Sequence, residues 1–255
     1  MEEKKSFMWS PWHGCHKVSP GCQNCYVEYL DKQFKKDSNI VSRNITNFNM
    51  PIRLNRNRQY TIPSGSEVAT CFTSDFFIEE ADLWRQDAWD IIRKRPDLHF
   101  LIPTKRLNRF LQSVPKDWSH GYDNVSIAVS VENQILADKR VPILLSLPIK
   151  HKEIFIAPIL EPIDIEEYLS SGQIERVLVG GESYDNARVC NFDWVLSLKE
   201  QCVRQNVSFS FHQTGSNFVK DGKTYKINHY KEYEQAKKAN IDYKRTYWLF
   251  YNFMV

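Results

Sequence analysis

The fold is decided by the stretch VSIAVSVENQILADKRVPILLSL, residues 125–147. Its first seven residues are apolar or small and lack the strict alternation of a half-exposed strand, which is typical of a parallel strand covered on both faces. Glu132 and Asn133 follow, and residues 133–147 then have the composition and spacing of a helix. The stretch therefore predicts a strand, a polar connection and a helix, which is the repeating unit of parallel α/β folds.

The same pattern recurs along the chain on both sides of this unit. Further strands are predicted at residues 6–9, 68–73, 99–103, 153–159, 176–179 and 207–211, and further helices at residues 25–34, 79–94 and 191–205. Repeated strand–helix alternation implies parallel strands joined by helical crossovers. It favours a full or partial (β/α) barrel with mostly parallel strands over an open doubly wound sheet. We expect a barrel domain at residues 1–217, interrupted by a polar insertion at about 36–63, and a tail at 218–255 that packs on the barrel.

Composition limits the classes of protein to consider. The chain has 255 residues, a formal net charge of +3 and six Cys, three of them within eleven residues. The mild charge does not by itself indicate nucleic acid. The charged start of the chain is neither a signal peptide nor a membrane anchor, so we expect no membrane partner. Clustered Cys in a chain of this size indicate a metal in a reducing compartment, and we expect a cytoplasmic location.

The strongest chemical motif follows the first strand and reads WHGCHKVSPGCQNCY, residues 12–26. Its glycines and proline allow tight turns, so Cys15, Cys22 and Cys25 can converge on one metal centre. Three thiolates on a [4Fe–4S] cluster leave one iron open to chelate S-adenosyl-L-methionine. The alternatives are a zinc site completed by His13 or His16, and three unrelated thiols. Cys71, Cys190 and Cys202 read as ordinary buried thiols.

Polar residues concentrate where the predicted strands end, which is where parallel α/β folds place their ligands. Lys105 and Arg106 could hold a carboxylate or phosphate, or simply begin a helix. A second set of candidate cofactor or substrate contacts comprises Asp75, Ser130, Glu132, Asn133, Glu182 and Gln213. The alternatives are helix capping for Glu132 and Asn133, and a tight turn with a solvated carboxylate for Glu182. We expect Asp75, Lys105, Glu132, Glu182 and Gln213 to converge on one cavity with the cysteine loop.

Several of these motifs occur together in a known family. The cysteine loop with its preceding Trp9-Ser10-Pro11, the segments 74–77, 104–106, 129–133 and 179–183, and Gln213-Thr214-Gly215 resemble the phage-associated three-cysteine proteins of uncharacterised function, a radical-SAM-like family. The resemblance implies a radical-SAM-like fold, a [4Fe–4S] cluster, S-adenosyl-L-methionine as cofactor and an external electron donor.

The chain departs from that family at Ala157 and His212. Ala157 stands where the family usually has an acidic residue before a proline, with Glu161 as a nearby substitute, and His212 stands where a lysine is common. The cysteine spacing, six residues and then two, also differs from the three-then-two spacing of most radical-SAM enzymes.

The resulting expectation is a radical S-adenosylmethionine-type enzyme acting on an unknown substrate, one option being a nucleic acid or nucleotide. The rival interpretations are a zinc-stabilised, non-enzymatic nucleic-acid-binding protein and a barrel that has lost its cluster. The basic side chains that could contact a nucleic-acid backbone, or simply be solvated, are Arg53, Arg56, Arg58, Arg93, Lys94 and Arg95.

Overall fold

The computed structural model describes residues 5–246 as one α/β architecture. Seven strands form one sheet in which every neighbouring pair is parallel and the strand order follows the chain. The strands are β1 (Ser6–Trp9), β2 (Glu67–Thr70), β3 (His99–Thr104), β4 (Val125–Ser130), β5 (His151–Ile156), β6 (Ile174–Gly180) and β7 (Ser208–Gln213). The sheet curls into a half-barrel, which confirms the predicted partial (β/α) barrel.

One helix follows each strand. The helices are α1 (Tyr26–Gln33), α2 (Asp82–Lys94), α3 (Phe110–Ser113), α4 (Gln134–Ser146), α5 (Glu166–Leu169), α6 (Phe192–Arg204) and α7 (Glu232–Lys238). All seven parallel strands are therefore connected through the helical layer, and their carboxyl ends lie at one edge of the sheet.

The main core lies between the sheet and the helices. Trp9, Trp89 and Phe100 are among its largest buried side chains. Leu101, Ala128 and Leu178, with Phe155 packed against them, form a separate small cluster. Because side chains alternate between the two faces of a strand, this cluster covers the face opposite the helices.

Two further parts of the chain are attached to the half-barrel. Between α1 and β2, a two-residue strand (Ser42–Arg43) pairs with Trp12–His13, and Arg95 donates to the carbonyls of Pro51 and Ile62. After β7, a hairpin of Asn217–Lys220 and Lys223–Lys226 leads to α7. The predicted division at residue 217 stays a prediction, and residues 1–4 and 247–255 of the two predicted domains lie outside the described residues.

Candidate functional site

A cavity of about 160 Å³ opens at the carboxyl edge of the sheet, and the three loop thiols lie on its wall. Cys15, Cys22 and Cys25 are each half-buried. The wall is completed by residues that follow β2 and β3 and by the end of β4. Of the other residues predicted from the sequence, it contains Asp75, Lys105, Arg106 and Ser130.

The cysteine loop is held by its backbone against the segment that follows α1. The amide of Cys15 donates to the carbonyl of Ser38 at 2.8 Å. Gly14 has φ +91°, and a Cβ atom there would lie 2.3 Å from the carbonyl oxygen of Ile40. Only glycine can take this conformation so close to the backbone of Ile40 without displacing it. Gly14 therefore fixes the direction of the chain between β1 and Cys15.

Glu132 lies beneath the loop and is fully buried. Its carboxylate accepts from the Ser19 hydroxyl at 2.7 Å and from Arg140 at 3.2 Å, and the Lys105 ammonium lies 3.4 Å away. A Cβ on Gly21 would lie 2.4 Å from Cγ of Glu132, so the loop backbone rests directly on this side chain. A buried carboxylate needs such partners, and here they tie the loop to the end of β4.

Asp75 and Arg106 form a second buried group behind Cys15. The Asp75 carboxylate accepts from the Thr104 hydroxyl and the Lys105 amide, and lies 3.3 Å from the Arg106 guanidinium. Arg106 in turn donates to Sγ of Cys15 at 3.5 Å and to the carbonyl of His16 at 2.8 Å. A guanidinium held in this way offsets negative charge on a neighbouring thiolate.

The two groups act differently on the loop thiols. Burial raises the pKa of Cys15, with Arg106 opposing it. Burial would also raise the pKa of Cys22, but the Lys105 ammonium and hydrogen bonds from Val18 and Ser19 lower it below its ordinary value. The thiolate, which is the form that binds metal, therefore forms more readily at Cys22 than in an ordinary cysteine.

Glu182, which follows β6, helps to hold the cysteine loop in place. Its carboxylate forms an ion pair with Arg188, at 2.6 Å, and accepts from the Asn24 amide at 2.9 Å. Arg188 also donates to the carbonyl of Pro20. Burial would raise the pKa of Glu182, but these donors lower it. The carboxylate thus already binds the segment between the cysteines.

The remaining predicted contact residues, Asn133 and Gln213, do not line the cavity. Asn133 caps α4 by accepting from the Leu136 amide at 3.0 Å, and Gln213 donates to the carbonyl of Gly181 at 2.8 Å. Of the five side chains expected to converge, the structure brings Asp75 and Lys105 into the cavity. Glu132 and Glu182 contact the cysteine loop, whereas Gln213 contacts Gly181 and does not line the cavity.

The family departure at Ala157 has a structural counterpart. Ala157 lines the cavity, whereas the Glu161 carboxylate accepts from the Gln134 amide at the start of α4. Glu161 therefore does not substitute for the acidic residue that the family usually has at this position.

Cys71 is a site residue that the sequence analysis missed. It is fully buried, lines the cavity and has φ +64°, an uncommon conformation for a residue with a side chain. Burial raises its pKa well above the ordinary value, so the thiol is protonated. Phe72 and Phe155 lie beside it with ring centroids 5.9 Å apart and give the cavity an aromatic wall. A single cysteine at the end of an apolar run carries no signal that separates it from a core thiol.

The donor type fits an iron–sulfur cluster, which thiolates hold. Cys15, Cys22 and Cys25 line one cavity, and Lys105 and Arg106 are placed to offset their charge. Among residues 5–246, no three His, Cys, Asp or Glu side chains, these thiols included, lie close enough together to hold a metal ion. The two histidines of the zinc interpretation are already engaged, His13 with Asp31 at 2.7 Å and His16 with Glu80 at 2.5 Å.

The basic residues considered for nucleic-acid contact are only partly available. Arg95 is fully buried and bound to Asp97, so it cannot reach a nucleic-acid backbone. Arg93 forms ion pairs with Asp90 and Asp117.

Fold and site together define an α/β half-barrel protein with a thiol-lined cavity at the carboxyl edge of its sheet. The chain belongs to the family described as protein of unknown function (DUF5131), whose profile matches residues 3–245. Neither the curated proteins nor the solved structures gave a match. Within residues 5–246, none of the helices has the length and apolarity needed to cross a membrane.

Proposed function

We propose that the protein is a radical S-adenosylmethionine-type enzyme that holds a [4Fe–4S] cluster on Cys15, Cys22 and Cys25. The observation that carries the proposal is that these three thiols, separated by six and two residues, line one cavity at the carboxyl edge of a parallel half-barrel. The family resemblance of the loop supports it. When bound, the cluster would supply the electron that cleaves S-adenosylmethionine, and an external donor would replace it.

The surrounding residues have roles that follow from their contacts. Lys105 and Arg106 offset the charge of the thiolates, and Glu132 and Glu182 hold the loop in place from two sides. Asp75 positions Arg106. Ser130 and the aromatic pair Phe72 and Phe155 face the remaining space, where cofactor and substrate would bind.

The experiment is anaerobic reconstitution with iron and sulfide, followed by reduction in the presence of S-adenosylmethionine. We expect a brown protein with about four irons per chain, the content of one such cluster, and formation of 5′-deoxyadenosine. A colourless protein containing one tightly bound zinc would contradict the proposal and favour the structural zinc interpretation. A brown protein that forms no 5′-deoxyadenosine would support the proposed cluster but contradict the proposed cleavage of S-adenosylmethionine.

A further inference from the structure

The positive charge of the chain is concentrated in its C-terminal segment, which we define as residues 217–246. This segment contains eight Lys and Arg residues and four Asp and Glu residues, a net charge of +4, whereas the whole chain has +3. The rest of the chain therefore has slightly more acid than base. Such asymmetry is typical of a surface that meets a polyanion.

Among the described residues, no ion pair engages Lys223, Lys226 or Lys231, and all three side chains are exposed. Glu232 is buried and accepts from Ser183 and Ser216, while Glu234 pairs with Lys238. Asp242 pairs with Lys237. Three of the four carboxylates are thus engaged by groups other than the exposed side chains of Lys223, Lys226 and Lys231.

A row of rings in contact leads from this basic surface to the cysteine loop. Tyr29 stacks on Tyr184 at 4.3 Å between centroids, Tyr184 makes a tilted contact with His229 at 4.6 Å, and His229 makes a tilted contact with Tyr230 at 3.8 Å. The Tyr230 side of the row is open, because 84% of that residue is exposed. An exposed ring at the end of such a row is a surface on which a further flat ring can stack.

The other end of the row lies beside the thiol-lined cavity. Tyr29 belongs to α1, which begins directly after Cys25, and Val27 and Glu28 of the same helix line the cavity. Asn24, between Cys22 and Cys25, donates to the carbonyl of Asn186, two residues beyond Tyr184. The basic surface, the ring row and the cavity are therefore continuous.

We propose that this surface binds a single-stranded nucleic acid, with a base stacked on Tyr230 and phosphates beside Lys223, Lys226 and Lys231. Single strands are bound by basic surfaces combined with aromatic platforms, whereas a duplex keeps its base faces covered. The inference rests on the proposed function where it also assigns a single-stranded nucleic acid as the substrate class. A strand bound here would have its next nucleotides directed toward the cavity.

The test is fluorescence anisotropy of the full-length protein with a labelled single-stranded DNA of about 20 nucleotides, the RNA of the same sequence, and the corresponding duplex. We expect both single strands, or one of them, to bind more tightly than the duplex. The single strand that binds more tightly identifies the ligand as DNA or RNA. Equal affinity would show that the surface does not distinguish deoxyribose from ribose. A duplex that binds as tightly as the single strands would overturn the proposal, as would absence of binding at low salt.

Two variants and a matched control locate the surface. Tyr230→Ala is expected to weaken binding about ten-fold, the effect of losing one stacked base. The triple variant Lys223→Gln, Lys226→Gln, Lys231→Gln should make the slope of log K against log salt shallower by roughly 2, since each phosphate contact contributes about 0.7. The control triple Lys116→Gln, Lys139→Gln, Lys150→Gln changes three exposed lysines elsewhere and should bind normally. Normal binding by both test variants, or equal loss in the control, would overturn the proposal.

The same measurement on iron-free Cys22→Ala separates this inference from the proposed function. Binding should persist there, because the contacts lie outside the cavity. If the wild type fails to assemble a cluster yet binds single strands through Tyr230, the proposed function fails and this inference stands. Loss of binding in a folded Cys22→Ala protein, checked by circular dichroism, would instead overturn the inference.

Discussion

At the scale of single residues, the site separates the side chains that face the cavity from those that hold its loop. Asp75 and Lys105 line the cavity, whereas the carboxylates of Glu132 and Glu182 are taken up by donors of the loop and of neighbouring arginines. A sequence shows that a carboxylate follows a strand, but it does not show which donor reaches it. The position of the site was therefore predictable from strand ends, and the division of roles within it was not.

Cys22→Ala should abolish iron binding while the protein remains folded, because the core is built from other residues. Cys202→Ala is the matched control, since Cys202 is a buried thiol on α6 away from the cavity. Iron and sulfide content after anaerobic reconstitution measures the first effect, and circular dichroism the second. Full iron content in Cys22→Ala would remove this cysteine from the ligand set. Global unfolding of the variant would favour a structural zinc, which contributes folding energy.

Gly21→Ala should displace the cysteine loop, because the new methyl group would occupy the space of the Glu132 side chain, 2.4 Å away. Overpacking at a buried site costs about 1–3 kcal/mol, and we expect a stability loss in that range together with reduced iron content. Ser19→Ala removes one hydrogen bond to the same carboxylate without adding volume, and should cost about 1.5–3 kcal/mol, the range for hydrogen bonds to charged groups. Urea unfolding compares the two. Equal stability of Gly21→Ala and wild type would show that the loop does not rest on Glu132.

At the scale of elements, the sequence predicted most of the architecture. All seven predicted strands overlap strands of the sheet, and the predicted helix at residues 191–205 matches α6 with Asn191 as its cap. The predicted start of β5 at residue 153 was late, because His151 and Lys152 are polar residues that belong to the strand. The hairpin after β7 was missed, since four-residue strands with exposed side chains leave no apolar pattern.

The predicted role of Asn133 can be tested at the start of α4. Asn133→Asp keeps an oxygen that can accept from the Leu136 amide, whereas Asn133→Ala removes it and should cost about 1 kcal/mol of unfolding free energy. If capping is the whole role, the Asp variant should match the wild type in stability and in S-adenosylmethionine cleavage. A stable Asp variant with strongly reduced cleavage would show that the amide also contacts the cofactor.

At the scale of the whole molecule, the buried side chain of Arg95 joins the chain between α1 and β2 to the half-barrel. The Arg95 side chain is fully buried and donates to the carbonyls of Pro51 and Ile62, and Asp97 accepts two of its hydrogen bonds at 2.8 Å each. Its guanidinium also lies over the Tyr60 ring at 4.0 Å. The sequence analysis interpreted Arg95 as a candidate for nucleic-acid contact because a run of three basic residues gives no indication of which one turns inward.

Asp97→Asn should therefore weaken the attachment of residues 51–62 and lower the stability of the whole protein. Hydrogen bonds from Arg95 lower the pKa of Asp97 to about 2, from about 4 in an unfolded chain. A lowered carboxylate pKa contributes stability above pH ~4, and this contribution is lost as the pH falls toward 2. At pH 7 we expect the variant to lose about 1–2 kcal/mol, a discounted value because Asp97 is partly exposed.

The prediction is checked by urea unfolding of both proteins at neutral pH and at a series of lower pH values down to about 2, where about half of the Asp97 carboxylate is protonated. The difference between variant and wild type should shrink toward zero as the wild-type carboxylate takes up its proton. Asp123→Asn is the control, since the pair of Asp123 with Lys150 lies at the surface and should contribute little. A difference that stayed constant with pH would assign the loss to the amide group that the substitution introduces at position 97, which places a second donor against the Arg95 guanidinium, and the charge of the pair would then have no part in holding the segment to the half-barrel.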